Sequence, residues 1–318
     1  MEIYRWDIKQ QSGFLTPWHS DTLFGSLCWA IADKEGENCL KGLLHLCRTG
    51  RPPFVVSDGF PAGFLPMPAG GMFTVHIPDH ASKEQRLAAQ REAKNKKRLQ
   101  YLPVGIFKEV LLGNSISFVD VEKPKVVIEA IEHNTIDRST GTSKDGGLFR
   151  EMAYWYNELE VYMLIDTEWL SIIDKAMMVL EARGFGAGVS HGAGSFKTDS
   201  FGRFSGFSYP ESTNAFITLS HCAPTAEMPT DAQYRVNVAY GKLGLERAAE
   251  GNPFKRPILM LEPGAVFWGD MPTEMWCGRL VEDVHSYYRD VVQCGISIAL
   301  PCNLARPKQG VTEFALHD

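Results

Sequence analysis

Between Gly184 and Gly194, five glycines (Gly184, Gly186, Gly188, Gly192 and Gly194) fall within eleven residues. Regular structure does not persist at that density, because glycine loses more backbone entropy on ordering than other residues and readily takes positive φ. The stretch must be a loop, and it constrains both flanks. Upstream, Leu170, Ile173, Met177 and Leu180 recur at spacings of three and four, which predicts a helix over 169–183. Downstream, Phe196, Phe201 and Phe204 lead into a strand. A helix–loop–strand order excludes a dinucleotide fingerprint, which needs the strand first. The Gly-Lys-Ser/Thr ending of a phosphate-binding loop is also absent, since Lys197 follows Phe196. Two readings remain. The successive amides form a concavity for anions, suited to an extended phosphate chain such as single-stranded RNA. Alternatively, the loop is a tight connection with no ligand.

Composition narrows the class. A chain of 318 residues, 44% hydrophobic and 22% charged, can bury a sizeable core as one large or two medium domains. Its cysteines (Cys28, Cys39, Cys47, Cys222, Cys277, Cys294 and Cys302) form no CxxC pair, which argues against a zinc site and a disulfide framework. Buried thiols in a reducing cytoplasm are expected, with no signal segment and no membrane span. The net charge of −6 argues against a general nucleic-acid binder. Charge is uneven, however. Lys83 to Arg98 holds seven Lys/Arg against two Asp/Glu, so any RNA contact needs local basic grooves, and the acidic remainder suits protein partners.

In chain order, Ile3–Ile8 predicts a strand. Leu23, Leu27 and Ile31 predict a helix with Ser20 or Asp21 as N-cap. A second helix covers Leu40–Cys47, and Arg51–Pro61 reads as a strand followed by a turn. Ala81–Arg98 reads as a basic helix and Leu102–Leu111 as a buried apolar segment. Val126–Ala130 is a strand leading to a protruding hairpin or ordered loop, with turn signals at Asp145-Gly146 and Gly146-Gly147. Glu158–Ile165 is a strand. The order up to the strand after the glycine loop is β-α-β-β-α-β, the ferredoxin-like plan. After a linker near Pro210–Ala215, strands are expected around Phe216–Ser220, Tyr234–Leu243, Ile258–Leu261, Val266–Trp268 and Val291–Leu300. There Cys294-Gly295 faintly echoes the first glycine loop.

Four stretches in this order carry a family resemblance: Ser20-Asp21-Thr22-Leu23-Phe24-Gly25; Ser57-Asp58-Gly59-Phe60-Pro61; Asn134-Thr135-Ile136-Asp137-Arg138 with Gly146-Gly147-Leu148-Phe149; and Gly184 to Gly194. Together they resemble the RAMP superfamily of CRISPR-associated proteins. Within it they are most similar to the Cas-five group, in the family of the fourth Csm subunit of type III-A effector complexes. The resemblance spans the whole chain, and Asn252-Pro253-Phe254-Lys255 fits it too. It implies an α+β fold of two ferredoxin-like (RRM-like) domains with insertions, 1–209 and 210–318, and a β-hairpin thumb. It also implies a non-catalytic subunit, without cofactor or metal, that holds the 5′ handle of the guide crRNA. Such a subunit caps the foot of the complex beside the large polymerase-type subunit and a RAMP backbone subunit.

Carried over residue by residue, the resemblance implies handle contacts from Ser12, Gly13, Phe14, His19, Ser20 and Asp21. The glycine loop would add Gly184, Gly186, Gly188, Ser190, His191, Gly192, Gly194 and Ser195. Ile136, Arg138 and Thr140 would act from the thumb, with Arg138 its main cation, and Lys255 and Arg256 from the second domain. Relatives often carry a cation near the positions of Ala187 and Gly188. Here those cations are missing, so the loop would rely on its amides and Ser190, or Arg183 and Lys197 would substitute. Aromatics near these stretches, Trp18, Tyr154, Trp155, Tyr156 and Phe185, suit stacking on splayed bases or packing in the core.

Two rival classes stay open. A repeat-processing endoribonuclease of the same superfamily would use His19 as general acid or base, although no Lys or Arg lies between His19 and Lys34 to support a phosphorane. A scaffold without RNA contact would suit the acidic balance. Asp21 reads as a helix cap rather than a metal ligand, and Asp137 as a partner of Arg138 or a cap within the hairpin.

Overall fold

The computed structural model describes residues 1–69, 82–84, 86–87, 99–114, 116, 121–244 and 252–306. Most of the basic stretch expected as a helix over Ala81–Arg98 lies outside them.

The chain begins with β1 (Glu2–Gln10), in which Tyr4, Trp6 and Ile8 are buried and the residues between them are not. Side chains alternate across a strand, so this pattern turns one face of β1 to the core. Next come α1 (Ser20–Glu35), α2 (Glu37–Arg48) and β2 (Phe54–Pro61). A short pair, β3 (Phe64–Pro66) with β4 (Tyr101–Pro103), precedes α3 (Val104–Leu112). The strands β5 (Val127–Ile136) and β6 (Ser143–Trp155) form a sheet of their own. Then β7 (Glu158–Ile165), α4 (Leu170–Arg183), the glycine loop and β8 (Phe196–Arg203) complete the first half. The order across the first sheet is β2-β7-β1-β8, and every neighbouring pair is antiparallel. One of its two inner strands, β7, is buried along almost its whole length, and α1 packs on α4, α2 and β2.

The second half holds β9 (Ala215–Thr218), β10 (Ala232–Gln233), β11 (Val236–Ala239), β12 (Ile258–Leu261), β13 (Val266–Trp268), β14 (Trp276–Val281) and β15 (Gln293–Cys302). Five of these form a sheet in the order β10-β13-β9-β15-β14, and β11 pairs with β12 separately. Among the described residues from 204 onward there is no helix, so the strand–helix alternation of the first half does not recur there. The apolar runs in this half are short and buried on both faces, as in β9 and β13, which suits strands and not amphipathic helices.

Three differences from the expectations are local. The N-cap position of α1 is His19, not Ser20 or Asp21. The hairpin turns at Asp137–Thr142, not at Asp145–Gly147. Asp137 Oδ1 accepts from the Ser139 amide at 2.8 Å, and the Gly141 amide reaches back to the Asp137 carbonyl. That carboxylate turn outcompetes the Gly146-Gly147 signal, which the register absorbs inside β6. Finally, Gly295 lies within β15, opposite Arg279, so Cys294-Gly295 is no second glycine loop.

One buried cluster runs from Tyr4 and Trp6 through Phe54 and Val161 to Ile217, Ile298 and Leu300, joining both sheets. The Asp58 amide donates to the Leu219 carbonyl at 3.0 Å and Ser220 Oγ donates to the Val56 carbonyl at 2.7 Å, so polar bonds cross the same seam.

Candidate nucleic-acid interface

Two of the family-resembling stretches touch. The Gly59 amide donates to the Trp18 carbonyl at 2.7 Å, and a Cβ on Gly59 would sit 2.6 Å from the Trp18 Cβ, so only glycine allows this approach. The neighbouring Asp58 then supplies the cap that the N-cap side chain, His19, does not. Its Oδ1 accepts from the Ser20 amide at 2.9 Å and so caps the helix from a strand 38 residues away. Ser20 is itself buried, and its Oγ accepts from the His221 amide at 2.9 Å. His221 Nδ1 lies 2.9 Å from Asp58 Oδ2, and the His19 ring stands 4.3 Å from the His221 ring, centroid to centroid.

Burial alone would push the Asp58 carboxyl up. His221 beside it, together with His19 and the Ser20 amide, holds it below its ordinary value instead. Burial would likewise push the His221 imidazole down, but Asp58 reverses this and raises it from 6.5 to about 9. His221 and Asp58 therefore form a buried ion pair at neutral pH. Beside it, Asp21 accepts from the Thr22 amide and from Gln293 Nε2.

The glycine loop stands on aromatic rings. Phe185 is fully buried and stacks on Trp18 at 4.2 Å, while Phe14 meets both rings edge-on. Aromatic pairs of this kind contribute roughly 0.5–1.5 kcal/mol beyond the area they bury. The loop's exit is tied to the end of β1. The Ser195 amide donates to Ser12 Oγ at 2.8 Å, the Ser12 amide returns to the Ser195 carbonyl, and the Gly194 amide donates to the Gly13 carbonyl. Above this base the crest is exposed at Ala187, Val189, Ser190, His191 and Gly192. The amides of Gly184, Phe185, Ala187 and His191 through Ser195 all bond within the protein. Those of Gly186 and Gly188 make no hydrogen bond among the described residues. The buried Trp18 Nε1 below them also has no acceptor there.

Several assigned contacts need correction. Phe14 is fully buried and cannot stack on a base. Ser20 is enclosed and bonded on both its amide and hydroxyl. Gly13 is buried beneath the Trp155 ring. Lys255 is half-buried and points inward. Its Nζ donates to the Val292 carbonyl and to Gln293 Oε1, each at 2.7 Å, and burial holds its pKa below the ordinary lysine value. Arg256 pairs with Asp283 at 2.9 Å. The two substitutes for a loop cation are also paired, Arg183 with Asp33 at 3.3 Å and Lys197 with Glu181 at 2.8 Å. Arg138 differs: it is exposed at the hairpin turn and makes no ion pair among the described residues. Thr140 and Ile136 are exposed beside it, Ile136 at 63%. Sequence reasoning missed Asp58 and His221, because their positions, with His19, are scattered through the chain and share no motif.

No protein-family model matches the sequence, and no curated protein matches it. Solved structures do resemble it. A Csm1–Csm4 cassette in complex with cA4 contains a chain that superposes with a TM-score of 0.63 at 16% identity, covering 97% of this chain and 100% of that one. A Csm3–Csm4 subcomplex of the type III-A CRISPR–Cas interference complex gives 0.60 at 16% identity, covering 95% and 100%. The fold is that of Csm4. Csm4 structures thus span the protein end to end, in the company of Csm1 in one case and Csm3 in the other. Among the described residues, no helix is long and apolar enough to cross a membrane.

Proposed function

We propose that the protein is a subunit of a type III-A CRISPR effector complex that grips the 5′ handle of the guide RNA and does not cleave it. The observation that carries this reading is the full-length match to the Csm4 fold. Within that fold, the exposed crest of the glycine loop offers unpaired amides to phosphates, and the β5–β6 hairpin acts as a thumb that brings Arg138 to the strand. We assign 1–209 to a ferredoxin-like unit, on the strength of its β-α-β-β-α-β order and antiparallel β2-β7-β1-β8 sheet. We assign 210–318 to a second, divergent unit. Its neighbours in the complex would be a large polymerase-type subunit and a RAMP backbone subunit.

The two adjacent imidazoles favour a second reading, endoribonuclease chemistry with His19 as acid or base. Burial argues against it. Strand cleavage needs an acid and a base at the phosphodiester, yet His221 is 4% exposed and bound to Asp58, which leaves one accessible imidazole. The test is guide RNA with and without its handle, offered to the assembled complex. Handle-dependent retention of intact RNA supports the cap. Cleavage that His19→Ala abolishes would establish the nuclease. Equal affinity for both RNAs would overturn the handle assignment.

A further inference from the structure

The RNA reading uses His19 as one contact and leaves Asp58 and His221 without a binding role. We propose that His19, Asp58 and His221 form a site for a divalent first-row transition ion, zinc foremost. One donor atom from each residue lies within 4.8 Å of the others. A tetrahedral zinc site with bonds of about 2.0–2.1 Å sets neighbouring donors ~3.3 Å apart. Asp58 Oδ2 and His221 Nδ1, 2.9 Å apart, are already close to that spacing. The His19 ring makes no hydrogen bond among the described residues, so a side-chain rotation brings its nitrogen in.

The surroundings suit a cation held by nitrogen and oxygen. Asp58 is oriented by the Ser20 amide, a backbone donor that fixes the carboxylate as outer partners do in metal sites. Asp21 adds a second negative charge that acts on His221. His19 is half-buried, which leaves an approach and a position for water. Two imidazoles and one carboxylate are a ligand set for zinc or ferrous iron, whereas calcium and magnesium favour all-oxygen shells. The ion takes the seat that the His221 proton occupies in the ion pair, and that proton leaves to solvent. Because the ligands come from the approach to α1, from β2 and from the segment after β9, the ion cross-links both sheets.

The proposal does not rest on the RNA reading, and its test contains no RNA. The full-length, chelator-stripped protein is titrated with Zn²⁺ by calorimetry and with Co²⁺ by visible spectroscopy. The expected result is one ion per chain, cobalt bands of a four- or five-coordinate nitrogen–oxygen site, and proton release. His19→Ala should weaken binding at least tenfold, and His221→Gln likewise. His191→Ala, which removes an exposed histidine of the loop, should leave it unchanged. His19→Ala spares the Asp58–His221 pair, so a native circular-dichroism spectrum separates lost binding from lost folding. Three outcomes overturn the proposal: no stoichiometric uptake; uptake unchanged in both His19→Ala and His221→Gln; or a thiolate charge-transfer band, which would move the ion to Cys222 and Cys277, whose sulfurs lie 4.0 Å apart.

Discussion

The glycine loop and the Asp58 seam both abut the start of α1, yet they are built in opposite ways. The loop is contiguous in sequence, exposed at its crest and made of backbone. The seam is assembled from distant residues, buried and made of charges. The loop's base is apolar, so its position is set by Phe185 on Trp18, and its nearby cations are already paired. The seam's charges fix where α1 begins and how the two sheets meet. The comparison teaches that shape and charge are supplied by different regions. The loop offers form, the seam holds the frame, and Arg138, exposed and without an ion pair among the described residues, offers positive charge at the hairpin turn.

Breaking the seam should have the largest effect. Asp58→Ala leaves a buried imidazolium unpaired and the first amide of α1 uncapped, which should cost about 3–5 kcal/mol. Chemical denaturation measures this, and a loss below 1 kcal/mol would mean that the pair is ornamental. Next comes pH, measured on protein kept metal-free with a chelator. His221 is raised from 6.5 to about 9 in the fold, so its stabilisation is complete below pH 6.5 and disappears as pH climbs through 9. Asp58 is lowered, so its share is present above its unfolded value of 3.8 and vanishes only in stronger acid. Thermal scans should therefore show a plateau from pH 3.8 to 6.5 and an alkaline decline on the order of 3 kcal/mol, absent in His221→Gln.

Substitutions in the loop should be milder and more local. Gly192 has φ +87° with open space around it, so Gly192→Val tests the backbone alone. Strain of roughly 1–3 kcal/mol is expected, together with weaker handle binding, while Gly192→Asn should recover much of both because asparagine tolerates the left-handed region. Arg138→Ala should weaken binding of handle-bearing guide RNA about tenfold, or ~1.4 kcal/mol, without lowering the melting temperature. Arg183→Ala, which removes a cation already paired with Asp33, should change affinity by less than about threefold. If Arg183→Ala proved the more damaging, charge would belong to the loop after all.

The elements of the first half were legible because their signals are local. Leu170, Ile173, Met177 and Leu180 marked α4, and the alternation in β1 and β7 marked the sheet. The glycine spacing also located the loop. The hairpin turn was misplaced because Asp137, a side-chain device, competes with glycine pairs that look stronger on paper. The family resemblance puts Phe14 and Lys255 on the RNA, and only packing reveals that one is core and the other turns in to Gln293. The seam was illegible for a deeper reason. Nothing local distinguishes an aspartate in a Ser-Asp-Gly turn from one that caps a distant helix, and the partner histidine lies 163 positions further along.

The β5–β6 ribbon has a mechanical consequence. Ten extended residues carry its tip about 30 Å from the base, and exposed side chains such as Ile128 and Leu148 leave it little support along the way. Its aim is therefore decided at the root, where Phe14 bridges Tyr154 and the Gln10 side chain holds the Tyr154 carbonyl and the Tyr156 amide. A tilt of ~10° at that joint would sweep the far end through about 5 Å over this length, close to one nucleotide step. Adjustments at Gln10 and Phe14 on the body would thus steer a fingertip they never touch.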